Sequence, residues 1–178
     1  MDSRPATERQ PRLSVVANEE TGTAKWDSER VMILPPDLLT AIQKQLESTL
    51  GAAGGGLLFI AAERQAAETV EVPRGFRPGS AGIPREILEA AGRRQGSLGL
   101  GRVRFGEIAG GVVVFTVENN PFALAHGPAA KPVCHLYRGW GAGILHRLTG
   151  DEYYCEEAEC VATGASTCRF VARPARMR

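Results

Sequence analysis

The sequence predicts an α+β domain: an antiparallel sheet with helices packed on it, closed at its C-terminal end by a helix and a β-hairpin that share a metal staple. Three observations predict it. Leu38, Leu39, Ile42, Leu46 and Leu50 recur at helical spacing. Val103 and Phe105 alternate with Arg102 and Arg104, ahead of an Ala109-Gly110-Gly111 turn and a β-branched run from Val112 to Glu118, which is the pattern of paired strands. Cys134, Glu157, Cys160 and Cys168 stand 23, 3 and 8 residues apart across a helical run and a second hairpin pattern.

The chain of 178 residues fits one domain with a real core. Residues 1–26 are polar and lack periodicity, so a disordered tail is expected there. The domain is expected over 27–172, with a short basic tail over 173–178. Asp27 to Leu34 reads as a short strand or arm. Pro35-Pro36-Asp37 is a helix-start signal and Gly51 a C-terminal cap. The helix between them is expected to bury its apolar face in the core, a dimer interface being the alternative. Gly54-Gly55-Gly56 is expected to break the chain as a loop. It has neither the Lys-Ser/Thr of a P-loop nor a preceding strand.

Leu57 to Glu68 is helical or mixed, and the stretch to Ser80, with Pro73, Gly75, Pro78 and Gly79, is loop. Pro84 opens a helix to about Arg94 that turns Ile87, Leu88 and Ala91 inward. The glycines at 96, 99 and 101 precede a strand instead of opening a helix, so they are no dinucleotide fingerprint. The strand from Val112 is expected at the centre of its sheet. Asn119-Asn120-Pro121 ends it, and a connector over 122–132 follows. His135 to Thr149 is helical, with Tyr137, Trp140, Ile144 and Leu148 as its apolar stripe. Gly139 and Gly143 on that helix permit close approach of another backbone or of a ligand. Tyr153 to Val161 and Cys168 to Val171 form the closing hairpin.

Thiolates are soft ligands that suit Zn²⁺, and a carboxylate can complete a tetrahedron. Glu157 and Cys160, three apart, would face opposite ways on a flat strand, so a bulge or turn is required at the small Ala158. Thr163-Gly164-Ala165-Ser166 is a turn that could bring Cys160 and Cys168 together. Four protein ligands make a closed, structural site. Arg138 and Arg169 are placed to offset its two excess negative charges. The spacing alone also admits buried free thiols or two disulfides. No apolar signal segment is seen at the start, which favours a reducing, cytoplasmic setting and disfavours disulfides.

Cys134, Arg138-Gly139-Trp140, Glu157-Ala158-Glu159-Cys160, Gly164 and Cys168-Arg169-Phe170 resemble the 4-vinyl reductase (V4R) domain family, strongly over residues 112–171. The family includes the sensor domains of phenol- and xylene-responsive activators and an accessory protein of bacteriochlorophyll synthesis. The resemblance implies that Cys134, Glu157, Cys160 and Cys168 hold a structural zinc and that Cys155 merely packs. It also implies homodimerisation, and an apolar pocket above the sheet. Candidate walls are Phe105, Val113, Phe115, Phe122, Tyr137, Trp140 and Ile144. The phenol sensors hold the hydroxyl with a histidine and a tryptophan. A gap-free count back from Cys134 puts Arg85 and Val113 there, which points to a larger or anionic apolar ligand at least as much as to phenol.

A net charge of +1 gives no electrostatic footprint for nucleic acid. No apolar run reaches the ~18–20 residues that span a bilayer. No nicotinamide or flavin fingerprint and no catalytic triad is evident, and His126, His135 and His146 form no constellation. The reading that follows is a zinc-stapled binder of a small hydrophobic or aromatic molecule, a sensor or carrier whose output passes through a downstream regulatory partner. The alternatives are a 4-vinyl reductase or accessory protein handling a tetrapyrrole intermediate, and a dimeric assembly scaffold.

Overall fold

The computed structural model describes residues 15–26, 28–79 and 82–176, in two units divided in sequence between Pro35 and Pro36. The first unit holds an antiparallel sheet of β1 (Val15–Asn18), β2 (Thr23–Trp26) and β3 (Glu29–Val31). Asn18 Oδ1 accepts the Thr21 N–H at 2.9 Å and Gly22 adopts a positive φ of 62°, which together turn the chain between β1 and β2. The disordered tail expected over 1–26 is therefore corrected from residue 15 onward. These strands are too short and too polar to announce themselves by alternation. Residues 1–14 lie outside the described residues.

The second unit runs α1 (Pro36–Leu50), α2 (Ala52–Thr69), α3 (Arg85–Ser97), β4 (Arg102–Ala109), β5 (Val112–Glu118), α4 (Pro121–His126), α5 (His135–Thr149), β6 (Tyr153–Glu159) and β7 (Cys168–Pro174). A 3₁₀ turn, Val161–Thr163, separates β6 from β7. The four strands form one antiparallel sheet in the order β4-β5-β7-β6, with β5 inside it as expected. Gly110 and Gly111 both have positive φ, the requirement of a two-residue hairpin loop. Alternation puts Val113, Phe115 and Val117 of β5 on the buried face, beside Cys168, Phe170 and Ala172 of β7. The last strand runs through Pro174, so the expected tail at 173 begins later.

Helix α5 lies on that face and is enclosed on two sides. A Cβ on Gly141 would stand 2.8 Å from the Phe115 ring. On another side, a Cβ on Gly139 would stand 2.1 Å from Phe59 O, and one on Gly143 2.1 Å from Glu63 O. The two glycines thus let the backbone of α2 rest on that of α5, as the packing reading of these residues requires. Helix α1 meets α2 in the same way, through Gly54 against the Leu46 backbone, and Gly55 makes room for the His135 ring. Gly54-Gly55-Gly56 is therefore the first turn of α2 and not the loop expected from its composition. Close packing outweighs the roughly 1 kcal/mol per residue that glycine costs a helix.

Helix α1 forms where expected but faces the other way. Thr40 and Gln43 are buried, while Leu38 and Ile42 keep 44% and 47% of their surface exposed. The cause is polar docking: Gln43 donates to Val133 O at 2.8 Å and to Glu47 Oε1 at 2.9 Å, and Glu47 Oε1 lies 3.1 Å from His135 Nε2. Leu38, Ile42 and Leu50 are left outward while Leu39 and Leu46 are half-buried, so the core-packing assignment of the stripe fails for those three.

Candidate metal centre

Cys134 is the N-cap of α5, Glu157 lies on β6, Cys160 follows β6, and Cys168 opens β7. Three elements and the turn between β6 and β7 thus deliver four acidic side chains to one point. Strand pairing shows how. Glu157 sits opposite Phe170 but Glu159 sits opposite Arg169, so β6 carries one extra residue at Ala158. This bulge resets the alternation and lets Glu157 and Cys160 face the same side. Gly164, at φ 99°, turns the chain between Cys160 and Cys168.

All four are buried, and their donor atoms lie within 4.8 Å of one another. Cys134 Sγ is 3.9 Å from Cys160 Sγ and 3.8 Å from Cys168 Sγ. Glu157 Oε2 accepts the Cys134 N–H at 2.8 Å, while its Oε1, equally buried, has no hydrogen-bond partner. An orphaned buried oxygen of this kind costs about 1–3 kcal/mol or more, and a cation held by the three sulfurs would satisfy it. Burial pushes the Glu157 carboxyl up to about 9. Hydrogen bonds that the Cys134 thiol donates to Cys160 and Cys168 push Cys134 above the usual thiol range and draw its two acceptors below it. Metal binding replaces shared protons of this sort. The donor set, its burial and the orphaned oxygen fit a group that could hold a metal ion.

Sequence reasoning placed Arg138 and Arg169 around the sulfurs. Arg138 instead donates through Nε to Cys155 O at 2.9 Å, with its guanidinium 5.7 Å from the Phe59 ring centre. Arg169 neighbours Cys168 on β7, so alternation sends it to the opposite face. The groups that do reach the sulfurs are uncharged. Val161 N–H points to Cys168 Sγ at 3.4 Å, and Asn120 Nδ2 lies 3.1 Å from Cys134 Sγ. Asn120 was missed. The signal was its place before Pro121, where it caps α4 by accepting the Phe122 N–H. Cys155 is buried, and burial pushes its thiol up to about 12. That suits a packing residue.

Five of the seven candidate pocket walls, the aromatic ones, form one chain of ring contacts. Phe105, Phe115 and Trp140 have ring centres 5.8–6.3 Å apart. Tyr137 lies 5.8 Å from Trp140 and 6.0 Å from Phe122. Phe170 stacks on Phe115 at 4.8 Å and belongs to the same cluster. It was overlooked, although it follows Cys168 at strand spacing. Val113 and Ile144 are buried in the surrounding core. Arg85 docks at the edge of the cluster, donating to Phe105 O and Gly106 O, and pairs with Glu89 at 3.6 Å. A separate open groove of about 450 Å³ runs between α4 and the 3₁₀ turn, lined by Ala123, Leu124, Pro128, Val161 and Thr163 among others. No helix among the described residues is long and apolar enough to cross a membrane.

No curated protein sequence matches the chain. Among solved structures, the phenol-responsive sensory domain of the transcription activator PoxR, bound to phenol, is 26% identical, with 90% of this chain and 84% of that one covered and a TM-score of 0.70. A vinyl-4-reductase family protein from Methanocaldococcus jannaschii shares the fold at 15% identity, over 84% and 86% of the two chains, with a TM-score of 0.54. So does trafficking protein particle complex subunit 3 from Naegleria fowleri, covalently bound to palmitic acid. It is 12% identical over 80% and 96% of the chains, with a TM-score of 0.56. The V4R domain model matches residues 113–174, which contain the whole cysteine and glutamate cluster. Over those residues the chain is therefore similar to the V4R domain family.

Proposed function

We propose that the chain is a zinc-containing domain that binds a small hydrophobic or aromatic molecule, as a sensor or carrier whose output passes through a regulatory partner. The observation that carries this reading is the likeness to the PoxR sensory domain, which extends over 90% of the chain. The aromatic cluster beside the metal centre supports it. Its walls are Phe105, Val113, Phe115, Phe122, Tyr137, Trp140 and Ile144, and a ligand enters by displacing rings that now rest on one another. The ion is zinc. Tetrahedral Zn–S bonds of ~2.3 Å set sulfurs about 3.8 Å apart, and two Sγ pairs stand at 3.8 and 3.9 Å. With Cys134, Glu157, Cys160 and Cys168 all engaged, no position stays open for water, so the zinc is structural. Unpaired thiols at this density belong to a reducing compartment, the cytoplasm.

The test is native mass spectrometry of freshly purified protein, followed by fluorescence titration with phenols, arenes and a long-chain fatty acid. Trp140 emission should change and saturate with one of these classes, and Trp140→Phe should abolish the response. A bare-chain mass with metal alone and no saturable response in any class defeats the binding reading. A coloured tetrapyrrole in the preparation, or turnover with NADPH, favours the reductase alternative instead.

We further propose that the protein is a homodimer. The outward face of α1, with Leu38, Ile42 and Leu50, joined by Leu57 and Ile60 of α2, is more apolar surface than scattered exposure explains. Ile42→Glu should convert dimer to monomer in light-scattering measurements. A parent protein that is already monomeric at micromolar concentration removes the idea.

A further inference from the structure

Three thiolates and a carboxylate around a divalent cation carry a formal excess of two negative charges. The centre is buried; Arg138, one helical turn after Cys134, is turned to Cys155 O and His135, and Arg169 is sent to the opposite face of β7. Excess charge in such a place is relieved by N–H donors, which withdraw electron density from sulfur without adding a counter-charge. Among those that point inward are Cys134 N–H to Glu157 Oε2, Val161 N–H to Cys168 Sγ, and Asn120 Nδ2 to Cys134 Sγ. The first two are main chain and come with the fold. Asn120 alone among these three is a side chain.

Its placement is specific. Asn120 has 0% of its surface exposed, and both ends of its carboxamide are in use. Oδ1 takes the Phe122 N–H at 3.1 Å, which fixes the plane of the amide, and Nδ2 then faces Cys134 Sγ at 3.1 Å. With Oδ1 accepting, the nitrogen must be the atom that meets sulfur. Asn119, with φ at +53°, turns the end of β5 so that Asn120 sits under α5. The cap of α4 and the donor to the sulfur are therefore one residue.

We infer that Asn120 is a positioning residue of the metal centre: its amide N–H holds the Cys134 thiolate in orientation and tempers its charge. The inference rests on the metal reading above. It goes beyond that reading in assigning a role to a residue outside the ligand set and, through the α4 cap, in tying one wall of the groove at Ala123 and Leu124 to the ion. Removal of such a partner weakens metal affinity by about 10–100-fold.

Two variants separate the sulfur contact from the cap. Asn120→Asp keeps the cap acceptor in the same place and replaces the donor with an oxygen. Asn120→Ser also caps, but its hydroxyl is too short to serve helix and sulfur together. The measurements are Zn²⁺ affinity by competition with a chromophoric chelator, and the thiolate-to-metal charge-transfer band of the Co²⁺-loaded protein. Both variants should lose 10–100-fold in affinity, and their Co²⁺ bands should move to longer wavelength as the sulfur becomes more electron-rich. A merely structural role for Asn120 would leave that band in place. Parent-like affinity and an unmoved band in both variants overturn the inference. A parent protein that binds neither metal overturns the metal reading as well, so the two failures are distinguishable.

Discussion

On the proposed metal reading, Cys160→Ser protein will carry less than about a tenth of the parent's metal and will melt roughly 10–20 °C lower, or fail to fold, because a structural ion contributes its binding energy to folding. The reasoning starts from position. Cys160 is fully buried and stands where β6 hands over to the 3₁₀ turn, with Thr163 and Ala165 N–H groups both bonded to its carbonyl. A serine there keeps the turn but offers a hard, protonated hydroxyl in place of a soft thiolate. The remaining donors cannot hold the ion, and Glu157 Oε1 is left without a partner in the core. Loss of the metal links α5, β6 and β7 no longer, which accounts for an effect of ~5 kcal/mol or more. Elemental analysis and a thermal melt decide it together. One equivalent of metal persisting in the variant removes Cys160 from the ligand set.

The second large effect comes from a single methyl group. Gly143→Ala puts a Cβ 2.1 Å from Glu63 O, where no rotamer change can relieve the clash because the obstacle is the main chain of α2. The helices must separate, and the expected cost is about 3 kcal/mol or more. Gly139→Ala, equally close to Phe59 O, should behave alike. Gly56→Ala is the control. It lies on the same α2, meets nothing within 4 Å, and should stabilise the domain by about 0.5–1 kcal/mol. Urea melts of the three variants test the pairing of α2 with α5. Equal, small effects for all three would mean that the helices do not meet backbone to backbone.

Local signals were legible in the sequence and tertiary ones were not. The β4–β5 hairpin, helix α5 and the closing hairpin rest on turn glycines, capping and period, all of which act within a few residues. The bulge at Ala158 could be deduced because two ligands three apart cannot share a face without it. The first turn of α2 was misread because Gly54 and Gly55 serve contacts with Leu46 and His135, and nothing near them in sequence says so. The orientation of α1 failed for a similar reason. A stripe at helical spacing marks an apolar face but does not say whether the domain or another surface covers it. The charge around the metal was assigned to arginines by proximity in sequence, whereas in space the sulfurs are served by Asn120 and a backbone amide.

The contact between α2 and α5 also bears on the entropy of folding. Freezing a long side chain at an interface costs up to ~1.5–2 kcal/mol in lost rotamers, and a glycine has none to lose. At Gly139 and Gly143 the helices meet with main chain that their own hydrogen bonds have already ordered. Such a seam leaves no slack to absorb drift: these two positions have no second amino acid to turn to.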